Sequence, residues 1–127
     1  MKLIQIIKAL GDETRLRILN LLSKGELCVC EIEYLLNINQ SNASRHLNRL
    51  TVSGLVEFEK RALYVYYSIN KSLHKEYPHL TEFISKELNL DKFKIDEKRL
   101  EIYKKSGMSC EDLKQGKTCF HNNKEEI

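Results

Sequence analysis

ELCVCEIEYLLNINQSNASRHLNRLTVSG, residues 26–54, contains two short helices around a polar turn. Cys28 stands where a helix N-cap belongs, and Glu31 follows three residues later as the carboxylate of a capping box, with Cys in the usual Ser, Thr or Asp place. Ile32, Leu35 and Leu36 recur at i, i+3, i+4, so the first helix lays one stripe on a core until Asn37 to Asn39 interrupts it. Asn39 caps the second helix, and Gly54 suits the left-handed stop behind it. Ala43, Leu47 and Leu50 share one side of that helix, and Ser41, Asn42, Arg45, Asn48 and Arg49 share the other. Two such helices across a tight turn make a helix-turn-helix.

The polar side of the second helix carries amides, hydroxyls and guanidiniums with no acid. It suits either solvent or the base edges and phosphates of a DNA major groove. Between Asn39 and Arg61 four Lys or Arg stand against two Glu.

Upstream, Leu3, Ile7 and Leu10 form the apolar edge of a helix ended by Gly11. Asp12 caps another, in which Leu16, Leu19 and Leu22 recur with Ile18 and Leu21 beside them, and Gly25 stops it. Downstream, LVEFEKRALYVYYSIN alternates and is rich in β-branched and aromatic residues, with Lys60, Arg61 and Ala62 at its middle. Two strands and a tight turn fit. A hairpin directly behind a recognition helix is a wing, with Lys60 and Arg61 placed to touch the phosphate backbone or minor groove. The bland alternative is a surface hairpin whose charges discourage strand addition.

From Asn70 a helical stripe of Leu73, Tyr77, Leu80, Ile84 and Leu88 returns. Pro78 either kinks that helix or begins it. A long amphipathic helix has no evident partner in so small a domain, and its copy in a second subunit supplies one, so a homodimer is expected on a pseudo-palindromic site. Asp91 to Lys105, with Phe93, Leu100 and Tyr103, suggests a further helix. Residues 107–127 look like a mobile tail carrying Cys110, Cys119 and His121. The expected architecture is mainly α with one β-hairpin, a winged helix-turn-helix in the order α-α-α-α-β-β-α. Residues 1–90 would be the DNA-binding and dimerisation domain, and 91–127 a C-terminal helical extension and tail.

The chain has 127 residues, 42% hydrophobic and 31% charged, with a net charge of +3, which permits nucleic acid as a partner without demanding it. It has no long uncharged apolar run and no leader pattern, so the expectation is a cytoplasmic protein with no membrane partner. In a reducing compartment the four Cys are metal ligands or redox thiols before they are structural disulfides. At the head of a helix, with Cys28 extended as the N-cap, the sulfurs of Cys28 and Cys30 can converge, and the exposed N–H groups and macrodipole favour thiolate. Thiolate ligation selects soft ions, Zn(II), Cd(II), Pb(II) or trivalent arsenic and antimony among them. A third sulfur must come from Cys110 or Cys119, of the same or the other subunit. His121 beside Cys119 reads as a solvated tail residue rather than a ligand.

GDETRLRILNLL, GELCVCEI, NQSNASRHLNRLTVSGLVEFEK and YVYY together closely resemble the ArsR/SmtB family of winged-helix metalloregulatory repressors, in particular its arsenic-responsive members, over about residues 3–90. The resemblance implies a homodimeric repressor on operator DNA, released when As(III) or Sb(III) is captured by thiolates. Cys28 and Cys30 match two of them. Where such sensors often place a third Cys, this chain has Glu33, which leaves Cys110 or Cys119 as the substitute and keeps Cd(II), Pb(II) and Zn(II) as alternative inducers. Gln40, Ser41, Asn42, Ser44, Arg45, His46 and Arg49 fall on the family's recognition-helix pattern, with His46 at the border of the apolar side. At the wing Ala62 and Leu63 replace the family's Gly and basic residue. His74, His79 and Glu82 lack the spacing of the family's zinc site on the dimer helix, so that site is expected to be absent. Two other readings stay open: thiol redox sensing on the same DNA-binding fold, and a protein-binding module with structural zinc. No base and nucleophile pair or phosphate-cradling Gly loop points to an enzyme.

Overall fold

The computed structural model describes residues 3–87 and 91–120, and capping residues set most of its element boundaries. Helix α1 (Leu3–Leu10) is parted from α2 (Glu13–Leu22) by Gly11 and by Asp12, whose carboxylate accepts from the Arg15 N–H at 3.0 Å. A two-residue strand, β1 (Leu27–Cys28), runs straight into α3 (Val29–Leu36), because Cys28 is extended (φ −85°, ψ 166°) and serves as the N-cap. Asn37 ends α3 in the left-handed region at φ 55°. Helix α4 (Gln40–Ser53) begins where the Asn39 side chain accepts from the Asn42 N–H at 2.8 Å and stops at Gly54, φ 87°, where a side chain would be strained.

Strands β2 (Val56–Arg61) and β3 (Tyr64–Ile69) form the hairpin. Its closing pair is Arg61 with Tyr64, so the turn is Ala62 and Leu63, with Ala62 left-handed at φ 55°. Lys60 and Arg61, expected at the bend, are instead the last residues of β2. The alternation of the two strands also conceals a third member of the sheet. β1 pairs antiparallel with β3 (Leu27 with Tyr67, Cys28 with Tyr66), giving the order β1-β3-β2.

Pro78 begins a helix rather than kinking one: α5 (Leu73–Glu76) ends before it and α6 (Pro78–Glu87) starts on it. Leu88, expected to continue the stripe, lies outside the described residues. Helix α7 (Asp91–Ser106) and the short α8 (Cys110–Lys114) complete the order.

One apolar cluster joins Ile6, Ile18, Leu21, Ile32, Leu35, Leu47, Leu50 and Leu55 to Leu100 and Tyr103 of α7 and to Cys119 and Phe120. Each large aliphatic side chain buried there contributes roughly 1.5–3 kcal/mol. Two sequence expectations change. The inward edge of α1 is Ile6 and Ala9, whereas Leu3 and Ile7 are 53% and 56% exposed. Apolar residues cover more than half of the helix circumference, with Gln5 and Lys8 on the remaining side, so the apolar arc is wider than the edge that is buried; Arg15 ties its end to α2, donating from Nε to the Ala9 carbonyl at 2.7 Å. The expected mobile tail, as far as residue 120, is folded onto α3, with Cys110, Cys119 and Phe120 buried. His121 lies outside the described residues.

Candidate functional site

Helix α4 turns Ala43, Leu47 and Leu50 into the core and leaves Gln40, Ser41, Ser44, Arg45, Asn48 and Arg49 exposed, with Asn42 half-buried. Arg45 reaches back to donate to the Asn42 side-chain oxygen at 3.2 Å, so the face is a continuous polar strip with two guanidiniums. His46 is not part of it. Only 5% exposed, it lies with its Nδ1 3.2 Å from an Arg15 guanidinium nitrogen and 3.8 Å from an Asp12 oxygen. Burial pushes the His46 pKa down; Asp12 opposes that shift, and the charges of Arg45, Arg15 and Arg49 add to it. It is therefore a packing residue that fixes α4 on α1 and α2, and Arg15, which sequence reading passed over, is its partner.

At the hairpin Lys60 is exposed. Arg61 is paired with the Glu26 carboxylate and lies over the Tyr66 ring, 4.0 Å from its centroid. Arg61 is still exposed, so these partners compete with a phosphate for its guanidinium and do not bar one.

The thiols gather at the head of α3. Cys28 is 1% exposed, and its sulfur is bonded to that of Cys110, 82 residues away, at the first residue of α8. Glu31 completes the group: the ligand atoms of Cys28, Glu31 and Cys110 all lie within 4.8 Å of one another. The Glu31 carboxylate already accepts from the Cys28 N–H at 2.9 Å and from the Tyr103 hydroxyl at 2.6 Å, an arrangement that holds the first turn of α3 to α7. Burial and the Glu31 hydrogen bond both push the Tyr103 hydroxyl pKa far up, so it stays a donor.

Cys30 is not in this group. It lines a groove of 390 Å³ with Glu33, Tyr34, Leu113, Lys114 and Thr118. Burial pushes its thiol pKa up, and the Glu33 carboxylate adds to the shift, so the expected drift towards thiolate at a helix head is reversed here. Cys119 lies one helical turn further along: its N–H donates to the Tyr34 hydroxyl at 2.7 Å and its sulfur is 3.3 Å from the same oxygen. Tyr34 stacks on Phe120 at 5.0 Å, which seats this end of the chain.

Of the four sulfurs expected as ligands, Cys28 and Cys110 are thus brought together, and Cys30 and Cys119 flank them separately. Cys28 and Cys110 are joined as a disulfide, where thiol ligands or redox thiols were expected, so this buried pair fits a soft ion only after a two-electron reduction has made it two thiols. The carboxylate beside them is held by two donors and orients the site more than it offers an open ligand position.

Residues 12–57 match the family model described as bacterial regulatory protein, arsR family. The chain is 42% identical over 84 residues to the arsenical resistance operon repressor of Escherichia coli K12, covering 65% of this chain and 66% of that protein. It is 38% identical over 71 residues to the cadmium resistance transcriptional regulatory protein CadC homolog of Staphylococcus aureus, covering 55% and 59%. The chain thus spans about three fifths to two thirds of the length of these relatives. Among solved structures it resembles the homodimeric winged helix-turn-helix DNA-binding domain of a possible ArsR-family transcriptional regulator from Mycobacterium bovis. That likeness has 32% identity and a TM-score of 0.58, over 66% of this chain and 78% of the other.

Proposed function

This chain belongs to the arsR family of bacterial regulatory proteins, and on that premise we propose that it is a metal(loid)-responsive transcriptional repressor of the cytoplasm. It binds operator DNA as a homodimer and releases it when a thiophilic ion is captured at Cys28 and Cys110. The observation that carries this reading is the meeting of those two sulfurs at the first turn of α3, the helix packed against the polar-faced α4. The arsenical relative favours As(III) as the inducer and the cadmium relative Cd(II), with Sb(III), Pb(II) and Zn(II) admitted by the same affinity for sulfur. An ion of this kind supplies bonds to sulfur, which selects thiolates over oxygen donors. Once the bond between them is reduced, Cys28 and Cys110 would hold it as thiolates, and Cys30 or Cys119 would supply a third sulfur after a local shift.

On the DNA side Gln40, Ser41, Asn42, Ser44, Arg45 and Arg49 meet bases and phosphates from α4, and Lys60 and Arg61 meet the backbone from the hairpin. Dimerisation covers apolar side chains that one chain leaves in water: Leu3, Ile4 and Ile7 of α1 and Phe83 of α6. Residues 1–90 supply DNA binding and dimerisation, and 91–127 supply part of the sensor.

The test is operator-bound protein titrated with arsenite, antimonite, cadmium, lead and zinc, read by fluorescence anisotropy. Wild type releases DNA with at least one ion, and Cys28→Ser binds the operator but keeps it. Full release by Cys28→Ser refutes the site. The bonded sulfur pair also favours a second reading, a peroxide sensor in which two thiols and one hydrogen peroxide give one disulfide and two waters. Release by peroxide and by none of the ions selects it.

A further inference from the structure

The β2–β3 turn is flanked by Arg61 and Tyr64, which are cross-strand partners. Each is held by an acid beside one of the two bonded sulfurs. Arg61 is paired with Glu26, two residues before Cys28. The Tyr64 hydroxyl donates to Glu111, the residue after Cys110, at 2.7 Å, and Lys114 of the same short helix lies 4.6 Å from the Tyr64 ring centroid. Cys28 is itself a register partner of Tyr66, whose ring carries the Arg61 guanidinium. The thiol pair and the tip of the hairpin are therefore one assembly, joined through both strands.

We infer that the hairpin is an output of the thiol site, with Glu26, Tyr64 and Glu111 as positioning residues that hold Arg61 when Cys28 and Cys110 are closed on one another or on one ion. With the pair closed, the start of α8 is fixed against β1, Glu111 sits over Tyr64, and Glu26 competes with phosphate for Arg61. With the pair open, α8 is free to leave, the tip loosens, and Arg61 is available to a phosphate. The direction agrees with the proposed function, on which this inference rests: capture of an ion withdraws Arg61 from DNA.

The test needs neither DNA nor an ion. Hydrogen exchange of the full chain is followed by mass spectrometry with the Cys28–Cys110 disulfide closed and after opening by dithiothreitol. The reductant loses two electrons and two protons to become its cyclic disulfide, and the cysteines become two thiols. Opening is expected to speed exchange over residues 58–66 about fivefold, the lower end of ordinary coupling, while residues 43–50 of α4 are unchanged. In Tyr64→Phe and Glu111→Ala, which remove the donor and the acceptor of that bond, the closed form already exchanges as fast as opened wild type, and opening adds nothing. Equal exchange of the wild-type hairpin in both states overturns the inference, as does a fivefold response that survives in Tyr64→Phe. If Glu111→Ala also loosens residues 43–50, Tyr64→Phe, which loses one hydroxyl, decides alone. Failure of the repressor reading appears elsewhere, in the anisotropy titration.

Discussion

Replacing Asp96 by Asn tests how the C-terminal helix is bound to the rest of the fold. Asp96 is 0% exposed on α7, and its two oxygens accept from Nε and an Nη of Arg17 on α2, each at 2.8 Å. Burial pushes the Asp96 carboxyl up, the two bonds push the Arg17 guanidinium up, and the bidentate geometry keeps both charged at neutral pH. Asn preserves the shape but leaves Arg17 as a largely buried cation facing an amide, which costs about 3–5 kcal/mol. That is a large part of the roughly 5–15 kcal/mol that holds a domain folded. With a slope of about 1–3 kcal/mol per molar urea, the midpoint falls by about 1–5 M, read by circular dichroism on the full chain under reducing conditions. A double variant, Arg17→Met with Asp96→Leu, removes both charges and is expected within about 2 kcal/mol of wild type or above it. An Asp96→Asn protein less than about 1 kcal/mol weaker than wild type would refute the reasoning, because the buried pair would then not be what seats α7.

Three further outcomes follow from the same geometry. Tyr103→Phe removes the donor to a Glu31 oxygen and is expected to cost about 1.5–3 kcal/mol by urea titration, an unchanged midpoint showing that the first turn of α3 does not depend on α7. The His46 pKa is lowered in the folded state, mainly by burial. Its contribution to stability is therefore complete above the ordinary histidine value of about 6.5 and is lost as pH falls from there through the folded value. His46→Asn, which keeps an acceptor for Arg15, should flatten that part of the urea-midpoint profile below about pH 6.5, and an unaltered profile would assign the loss to other groups. If α4 reads DNA as proposed, Arg45→Ala or Arg49→Ala lowers the salt dependence of operator binding by about 0.9 in log–log slope for each phosphate no longer neutralised, and an unchanged slope places that arginine away from the backbone.

Much of this fold is legible in the sequence because its boundaries are written in single residues. Asp12, Asn39 and Gly54 mark helix ends with side chains or backbone freedom that suit little else, and the Cys28 to Glu31 spacing announces the head of α3. What escaped reading depends on residues far apart in the chain. Periodicity treats Asp96 and Arg99 as surface charges, yet both are buried because each meets a partner more than sixty positions away. The same blindness made residues 107–120 look like a tail: their polarity is real, but Cys110, Cys119 and Phe120 are the anchors. At the site, four cysteines were recognised as one chemical set, and only the structure separates the pair that meets from the two that flank it. His46 stood on the family pattern of the second helix, and its burial follows from Arg15 and Asp12, which no local window contains.

The bonds along α3 differ in stiffness, and that difference bears on which way a change at Cys28 travels. At the C-terminal end of the helix Arg99 donates to the carbonyls of Leu35 at 2.6 Å and Tyr34 at 2.7 Å, satisfying groups that a helix end leaves without partners. At the N-terminal end Tyr103, four residues after Arg99 on the same face of α7, holds Glu31. These bonds are buried or half-buried, so sliding α3 against α7 would strand polar groups away from water at both ends together. The ties from the thiol site to the hairpin are exposed ones, Glu26 with Arg61 and Glu111 with Tyr64, of a kind that water and salt weaken. A small displacement at the sulfurs therefore breaks or makes these hairpin ties at far lower cost than it shifts α3. The wing yields first, and α4 moves only if the free energy of capture exceeds what α7 holds in place.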